Sequence, residues 1–533
     1  MLNIKNCLKC DILTYIMKKG CEFLKFSSLA RRRTIILGVI YFIQIALLAA
    51  FSALAAFSTQ SYTVLSLISS LLFSVIILNA RSQPEFKTAW IIIVLLLPIF
   101  GGLLYLFLRR QTFSENYVEK RKVMEENIED FAHEQRNILD DYPNLDPDAR
   151  HLSQFITETF HVVPSNTTES TYMPSGEKMF ESMLNDLNNA KDYIFIEFYI
   201  IEKGYMLDQI LEVLFRKAKE GVDVRLTYDD VGNILRIDED FIKYLNDNGV
   251  KTSVFNPLGW RLSFQYNYRN HRKIVVIDGK IGYTGGINIG DNYINKIEKA
   301  GHWKDGGIRL EGSAVWGFTL MFLSLWNSLN DEQDNYEAYY PDYEEVDPVT
   351  KGGFLQPFTD VPTHKVQISE SLYLKLIYNA KETIYLKTPY LIFSKKLYSA
   401  LENAAISGVD VRIITPGQPD KKLVYETTQS FYEQLVDVGV QIYEYTPGFI
   451  HEKVLIIDDD YAINGTINFD YRSFYHSFEC GVLFYRIDCI NHMKNDFLEL
   501  FPKCELMTKE SLENKPLHIQ FIRSILQLIA PLM

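Results

Sequence analysis

Residues 270–293 read NHRKIVVIDGKIGYTGGINIGDNY, and residues 451–473 read HEKVLIIDDDYAINGTINFDYRS. Both stretches contain the spacing His-x-Lys-x4-Asp, carried by His271, Lys273 and Asp278 and by His451, Lys453 and Asp458. In each copy an apolar tetrapeptide follows the lysine, as in a buried strand, and the aspartate is followed by a turn and Gly-(Gly/Thr)-Ile-Asn. A single histidine on a strand is ordinarily structural. Two copies that keep the same neighbours indicate a shared chemical task.

The sequence around the two motifs is also repeated. AKDYIFI at 190–196 is matched by AKETIYL at 380–386, and GVDVR at 221–225 recurs at 408–412. The order in each half is strand, helix, strand, variable insert and then the histidine strand. Alternating strands and helices favour an α/β sheet in each half, and the glycine of GVDVR predicts the end of a helix before a buried strand.

The repeated motifs point to cleavage of a phosphodiester through a covalent phosphohistidine. Such a reaction needs positive charge and hydrogen-bond donors at the phosphate oxygens, which Lys273 and Lys453 and the amides of Asn288 and Asn468 offer. One neutral histidine would attack phosphorus, and the other, protonated, would serve as general acid. This scheme requires neither a metal nor a cofactor.

Carboxylates complete the expected site. A nucleophilic imidazole needs a partner that fixes its tautomer, and Asp305 in HWKD and Glu479 in SFE are the candidates. Asp278 and Asp458 are expected to be catalytic members of their motifs. The alternative is that each anchors the turn after its strand through backbone hydrogen bonds.

The amino-terminal part has the composition of a membrane anchor. Residues 34–80 and 88–108 carry no charge, and a span needs about 20 apolar residues. We therefore expect spans at about 34–58, 61–79 and 88–108, with a cleaved signal peptide as a disfavoured alternative because the apolar run is too long.

The expected topology contains a conflict. Basic residues precede the first run, lie in the loop at 80–87 and follow the last run at Arg109 and Arg110. Three simple spans would place the last pair outside, against the positive-inside rule. Pro98 and the pair Gly101-Gly102 would allow a kink or a re-entrant segment. We expect the catalytic domain to be cytoplasmic.

The complete predicted organisation has six parts. They are a basic segment (1–33), a transmembrane region (34–108), an acidic connector (109–150), a first half (151–340, motif region 265–292), a second half (341–505, motif region 445–472) and a carboxyl-terminal amphipathic segment (506–533). The last of these would lie in the membrane interface or pack on the protein.

Charge and cysteine content narrow the functional class. The net charge of −13 argues against a nucleic-acid partner, and the six cysteines form no disulfide framework. The pairs Lys395-Lys396 and Lys421-Lys422 are either solvated surface features or steer anionic headgroups.

These motifs resemble the phospholipase D superfamily and, more narrowly, bacterial cardiolipin synthases. The resemblance covers the chain from about residue 34 and is carried by RNHRK (269–273), TGGIN (284–288), HWKD (302–305), TPY (388–390), PG (416–417) and PDKK (419–422). It implies membrane helices followed by a duplicated α/β/α domain with one active site between the halves. Thr466 and Ser477 depart from the usual Ser and Asn.

The resemblance also implies an activity. A phosphatidyl group would pass from one phosphatidylglycerol to a hydroxyl of another, giving cardiolipin and glycerol, with His271 as nucleophile and His451 as acid and base. Phosphatidylethanolamine stays open as the second lipid. A hydrolytic phospholipase D or a phosphatidylserine synthase would share the motifs, and an inactive membrane scaffold is the non-enzyme alternative.

Overall fold

The computed structural model describes residues 59–108 except residue 81, residue 139, and residues 145–533 with breaks at 235, 238, 258–266, 331, 342, 344–347, 349–351 and 365. The predicted basic segment, the predicted span at 34–58 and most of the predicted connector lie outside the described residues.

The first half is built on a seven-stranded mixed sheet. The strands of this half are β1 (Glu169–Met173), β2 (Tyr193–Phe198), β3 (Asp223–Asp229), β4 (Lys251–Phe255), β5 (Arg269–Asn270), β6 (Ile274–Ile277), β7 (Ile281–Gly285), β8 (His302–Lys304) and β9 (Gly307–Glu311). The sheet order is β1-β9-β7-β6-β2-β3-β4. Strands β2, β3 and β4 are parallel, and β6 and β7 form an antiparallel hairpin beside them.

The second half repeats this sheet. Its strands are β10 (Phe354–Asp360), β11 (Thr383–Lys387), β12 (Leu391–Ile392), β13 (Asp410–Pro416), β14 (Gln441–Tyr445), β15 (Gly448–Ile450), β16 (Val454–Ile457), β17 (Tyr461–Gly465), β18 (Phe469–Asp470), β19 (Ser477–Tyr485) and β20 (Cys504–Leu506). The order β10-β19-β17-β16-β11-β13-β14 matches the first sheet strand for strand, and β20 extends it. The predicted duplicated α/β fold is confirmed.

Helices cover both faces of each sheet. In chain order they are α1 (Thr59–Leu78), α2 (Pro84–Leu96), α3 (Pro98–Leu108), α4 (Pro147–Phe160), α5 (Gly176–Asn189), α6 (Tyr205–Lys219), α7 (Asp230–Asn233), α8 (Glu239–Asp247), α9 (Val315–Asn330), α10 (Ile368–Asn379), α11 (Lys395–Ile406), α12 (Lys422–Gln429), α13 (Tyr432–Val436), α14 (Tyr471–Tyr475), α15 (Cys489–Leu500), α16 (Lys509–Glu513) and α17 (Leu517–Ile529). Short 3-10 turns lie at Asp291–Ile294, Tyr336–Tyr339, Phe501–Lys503 and Ala530–Leu532.

Successive residues of a strand point to opposite faces of the sheet. Each sheet therefore contributes apolar side chains to an inner and an outer layer, and the core has three layers in all. Phe195 faces a central core that contains α9, α15 and the inner faces of both sheets. Its neighbours Ile194 and Ile196 face an outer core with α5, α6 and α8. Helices α10, α11 and α13 cover the outer face of the second sheet. The central layer therefore joins the two halves.

The helix stop predicted at GVDVR is present in both halves. Gly221 and Gly408 adopt φ of +98° and +94°, directly before β3 and β13. Glycine enters this left-handed region without the strain that a side chain would add.

Two predicted boundaries are crossed by elements of the structure. Helix α4 begins inside the predicted connector and packs against the second half, where Ser153 Oγ donates to Gln356 Oε1 at 2.7 Å. Strand β20 runs to Leu506, one residue beyond the predicted second half.

The predicted span at 88–108 is divided into two helices, in agreement with the re-entrant alternative that Pro98 and Gly101-Gly102 allowed. The chain breaks at Leu97-Pro98, and α2 and α3 fold back on each other, so that the rings of Trp90 and Tyr105 lie 5.4 Å apart. Gly101 allows this packing because a Cβ there would lie 2.8 Å from the carbonyl oxygen of Ile93 on α2. At 13 residues, α2 is about 20 Å long, too short for a hydrocarbon layer of about 30 Å.

Among the described residues, one helix is long and apolar enough to cross a membrane, over Gln60–Leu78. Together α1, α2 and α3 form a small bundle around Phe73, Ile77, Val94 and Tyr105. Its base contacts the second half, where Phe86 packs edge-on against Tyr471 and Tyr475.

Candidate active site

Strand pairs between the two halves build the site. Strand β5 of the first half pairs with the beginning of β19, and β15 of the second half pairs with β8. The histidines follow directly: His271 N donates to Phe478 O at 2.9 Å, and His451 N donates to Lys304 O at 2.8 Å. Each histidine is thus fixed by the backbone of the opposite half.

Each histidine also bonds the carboxylate of the opposite half. His271 Nδ1 lies 2.9 and 3.0 Å from the two oxygens of Glu479. His451 Nδ1 lies 2.7 Å from Asp305 Oδ2. An ionised carboxylate only accepts, so beside Asp305, and beside Glu479 when it is ionised, Nδ1 carries the hydrogen and Nε2 keeps the lone pair that can react.

The two lysines lie buried beside the histidines. Lys273 Nζ donates to His271 O at 2.5 Å, and Lys453 Nζ donates to His451 O. Burial, assisted by Lys453, lowers the pKa of Lys273 to about 7, and burial lowers the pKa of Lys453 to about 8. The negative charge of an anionic substrate would raise the pKa of both lysines and favour their ammonium forms.

The histidines are neutral before an anion binds. Burial and then Lys453 lower the pKa of His451 to about 4. Burial, Lys273 and Lys453 hold the pKa of His271 well below its usual value. A phosphodiester would raise the pKa of both rings because its negative charge favours the imidazolium form.

The two carboxylates differ in charge state. Burial would raise the pKa of Asp305, but the His451 ring and Lys453 outweigh it and hold this pKa below its usual value. Burial raises the pKa of Glu479 to about 7, in spite of the opposing effect of Lys273. His451 therefore faces a fully ionised partner, whereas the partner of His271 titrates near neutrality.

Two hydroxyl groups complete the environment of Glu479, a role that the sequence did not indicate for either of them. Thr466 Oγ1 donates to Glu479 Oε2 at 2.5 Å, and Ser473 Oγ donates to Oε1 at 2.7 Å. Asp305 is held differently, by Gly306 N at 2.9 Å. Ser473, in the stretch FDYRS after the second motif, was the sequence feature that could have indicated a hydroxyl donor to Glu479.

The two asparagines are placed differently. Asn288 accepts from Ile200 N and donates to Tyr293 Oη, each at 3.0 Å. Its amide group therefore holds a loop and a ring, and the expected role at the phosphate is not supported. Asn468 is buried next to the Ser473 hydroxyl, and its Oδ1 has no hydrogen-bond partner among the described residues.

Asp278 and Asp458 stand at turns on the far ends of their strands. Asp278 accepts from the backbone N–H groups of residues 191, 192 and 193 at 2.8–3.0 Å. Asp458 accepts from those of residues 381, 382 and 383 at 2.6–2.8 Å. Both residues adopt φ near +52°. This geometry favours the turn-anchoring alternative over the expected catalytic role.

Replacing either aspartate with Ala should lower stability rather than chemistry. Three backbone donors lose a charged acceptor in Asp278→Ala or Asp458→Ala, so we expect the free energy of unfolding to fall by about 2–4 kcal/mol. Chemical unfolding in detergent measures this change. The kcat of the folded fraction should stay within a few-fold of the parent, and a loss of several orders of magnitude would restore the catalytic interpretation.

A buried ionic network lies beneath His451. Lys387 Nζ is 2.6 Å from both Glu452 Oε2 and Asp496 Oδ2, and Tyr172 Oη donates to Glu452 Oε1 at 2.5 Å. Lys304 Nζ reaches Asp496 at 2.9 Å and Glu452 at 3.5 Å. Tyr172 and Lys304 come from the first half and the others from the second, so the network ties the halves together.

In the first half, the residues that correspond to Lys387 and Glu452 carry the opposite charges. Glu197 on β2 corresponds to Lys387 on β11, since they pair with Ile274 and Val454 at the same motif position. Arg272 corresponds to Glu452, and its Nη1 lies 3.6 Å from Glu197. The guanidinium of Arg272 also lies 5.4 Å from the centre of the Phe478 ring.

No group of His, Cys, Asp and Glu in the described part of the chain is arranged to hold a metal ion. The site instead contains two imidazoles, two ammonium groups and two carboxylates from two halves. This arrangement can bind one anionic phosphodiester, attack it from one side and donate a proton from the other.

Comparisons with known proteins agree with this arrangement. The family model "Cardiolipin synthase, PLD-like domain" matches residues 183–300 and 373–501, and "Phospholipase_D-nuclease N-terminal" matches residues 67–110. The chain is 32% identical to a cardiolipin synthase of Geobacillus kaustophilus, over 89% of this chain and 94% of that protein. It is 33% identical to cardiolipin synthase 2 of Bacillus cereus, over 87% and 90%.

A solved structure shows the same fold. The crystal structure of phosphatidylserine synthase from Haemophilus influenzae superposes with a TM-score of 0.56 at 15% identity, over 72% of this chain and 100% of that chain. The predicted resemblance is confirmed by the sequence relatives. The chain belongs to the cardiolipin synthase family of phospholipase D-like proteins.

Proposed function

We propose that this protein is a cardiolipin synthase that transfers a phosphatidyl group between two phosphatidylglycerol molecules through a phosphohistidine. The observation that carries the proposal is the crosswise pairing of each histidine with the carboxylate of the other half. Membrane association and the phospholipid chemistry of the family support a lipid substrate.

The proposed first step forms a phosphorus–nitrogen bond. His271 Nε2 attacks phosphorus, the bond from phosphorus to the glycerol oxygen breaks, and His451 Nε2–H gives its proton to that oxygen. Lys273 and Lys453 neutralise the charge on the non-bridging oxygens. The ionised Asp305 favours an imidazolium at His451, which supports His451 as the acid.

The second step reverses the roles. His451 removes the proton from the primary hydroxyl of the second phosphatidylglycerol, whose oxygen attacks phosphorus, and the bond to His271 breaks. The products are cardiolipin and the free imidazole of His271. Because both steps exchange similar phosphodiesters, the overall transfer is reversible.

A lipid conversion assay tests this function. The purified protein in detergent receives labelled phosphatidylglycerol alone, and the products are resolved by mass spectrometry. Cardiolipin with an equal amount of glycerol, absent in His271→Ala and His451→Ala, is the expected result. Phosphatidic acid alone would mean a hydrolase. If product forms only after serine and an activated lipid are added, the enzyme is a phosphatidylserine synthase, and no product in any mixture would favour a scaffold.

We also propose a multi-pass protein of the bacterial plasma membrane with a cytoplasmic catalytic domain. The folded-back pair α2 and α3 supports this orientation because it returns the chain at residue 108 to the side on which α2 begins. Arg109 and Arg110 then share the cytoplasmic side with the loop at 80–87, and the conflict with the positive-inside rule disappears.

Cysteine accessibility should report this topology. Ser82→Cys and Glu510→Cys should resist an impermeant maleimide in intact cells and react in inverted membrane vesicles. Leu97→Cys, at the tip of the hairpin, should stay unlabelled from both sides. The parent chain labelled in parallel gives the background of its own cysteines. Labelling of Leu97→Cys from outside would mean that α2 crosses the bilayer.

A further inference from the structure

Helix α17 has one face docked on the protein and one face exposed. On the docked face Arg523 is buried, where its Nε donates to Glu426 Oε2 at 2.9 Å and its Nη2 donates to Gln429 Oε1. Leu526 is buried beside it. The other face carries an apolar stripe whose side chains are 44–82% exposed: Leu517, Phe521, Ile522, Ile525 and Leu528. A helix that is firmly docked and still exposes five large apolar side chains requires a partner for that stripe.

The position of α17 identifies the partner. Helix α17 contacts α2, and the turn Ala530–Leu532 after it contacts both α2 and α14. Helix α2 belongs to the small bundle formed by α1, α2 and α3. Helix α1 of this bundle exposes Leu67, Leu71 and other apolar side chains. The apolar stripe is thus adjacent to the surface that faces lipid.

The docking partner of α17 borders the active site. Helix α12 begins directly after Lys421, which is near enough to His271 to contribute to the lowering of its pKa. Leu423 on α12 is exposed as well. A membrane surface that covers the stripe would therefore bring lipid headgroups to the side of the protein on which α12 and Lys421 lie.

We propose that α17 lies in the bilayer interface, with the apolar stripe inserted among the lipids and the α12–α17 rim turned toward the headgroups. This proposal rests on the membrane association of the proposed function and adds a second, carboxyl-terminal contact with the same bilayer. Under this proposal the two alternatives for the carboxyl-terminal segment, packing on the protein and lying in the membrane interface, both apply: one face of α17 packs on the protein, and the other contacts lipid.

The insertion should be driven by apolar burial. The single arginine of α17 is paired and buried, and residues 505–516 contain three Glu and two Lys. Apart from the paired Arg523, α17 contains no Arg or Lys that could attract anionic lipid. Binding of the stripe should therefore be insensitive to salt, unlike that of a basic amphipathic helix.

Fluorescence quenching in nanodiscs tests the proposal. Full-length Phe521→Cys carries an environment-sensitive dye in nanodiscs that hold one protein each, with dibrominated phosphatidylcholine and phosphatidylglycerol as quenching lipids. Gln520→Cys, on the flank of the same helix, is the matched control, and the labelled parent chain gives the background. Circular dichroism and thermal unfolding check that both variants fold.

We expect the dye at residue 521 to be quenched at least several-fold more than the dye at residue 520, equally at 50 mM and 500 mM salt. Equal quenching at both positions, or none at residue 521, would overturn the proposal. A blue shift at residue 521 that arises only when two proteins share a disc would assign the stripe to a second copy instead. Quenching requires no turnover, so a positive result in His271→Ala would stand even if the lipid assay failed.

Discussion

Phosphatidyl transfer should fall at least about 10⁴-fold in both His271→Ala and His451→Ala, but the two variants should fail at different steps. His271 forms the covalent bond, so its loss removes both steps. His451 supplies and removes protons, and its proton is dispensable when the leaving group is a stable anion. A phosphatidyl ester of p-nitrophenol provides such a leaving group.

With this ester, His451→Ala should release nitrophenolate in a burst that does not exceed one equivalent of enzyme. The phosphatidyl group should then remain on residue 271, because no base is present to activate the acceptor hydroxyl. Stopped-flow absorbance measures the burst, and peptide mass spectrometry locates the adduct. His271→Ala should give neither. An adduct on His451 in the His271→Ala variant would reverse the assignment of nucleophile and acid.

The second large effect should come from Asp305→Asn. Gly306 N donates to Asp305 Oδ1, so an Asn side chain that keeps this bond must turn its NH₂ group toward His451. His451 Nδ1 would then accept, which places the hydrogen on Nε2 of a neutral ring that is a poor acid. We expect kcat to fall about 10³–10⁴-fold, as in other histidines held in the wrong tautomer.

Glu479→Gln is the matched comparison, and its effect should depend on pH. With a pKa of about 7, Glu479 is mostly protonated at pH 6 and mostly ionised at pH 8 in the free enzyme. Loss of its charge should therefore reduce kcat/KM about tenfold more at pH 8 than at pH 6. Profiles of kcat/KM against pH for both variants test this. A pH-independent loss in Glu479→Gln would mean that this carboxylate is ionised throughout the range.

The sequence repeats predicted the arrangement of the sheets and the reacting groups well, because both depend on local pattern. The apolar tetrapeptides became β6 and β16, and the paired lysines and histidines lie together with Asp305 and Glu479. The crosswise exchange of the two carboxylates was not visible along the chain. It depends on the pairing of β5 with β19 and of β8 with β15, which joins residues far apart in sequence.

Other features were wrongly predicted or left undecided by the sequence, for distinct physical reasons. Asn288 has the position in its motif that a phosphate-binding residue would have. Its side-chain oxygen, however, accepts from Ile200 N, and its NH₂ group donates to Tyr293 Oη. Asp278 stands in the left-handed region, which directs its carboxylate to three backbone N–H groups. Composition alone could not distinguish a kinked span at 88–108 from a hairpin, because both are equally apolar.

The reversed charges beneath the two histidines determine which halves can associate. Suppose that two copies of the first half met in the arrangement seen here. Arg272 of one copy would then take the place of Glu452 and would face Lys304 of the other copy. Two buried cations would lie side by side, which is unfavourable. If two copies of the second half met, Glu452 would face Phe478 and would lose Lys304 as a partner. Only the unlike combination satisfies both sides. We therefore expect that neither half forms a symmetric homodimer by itself, so that one active site requires both linked halves.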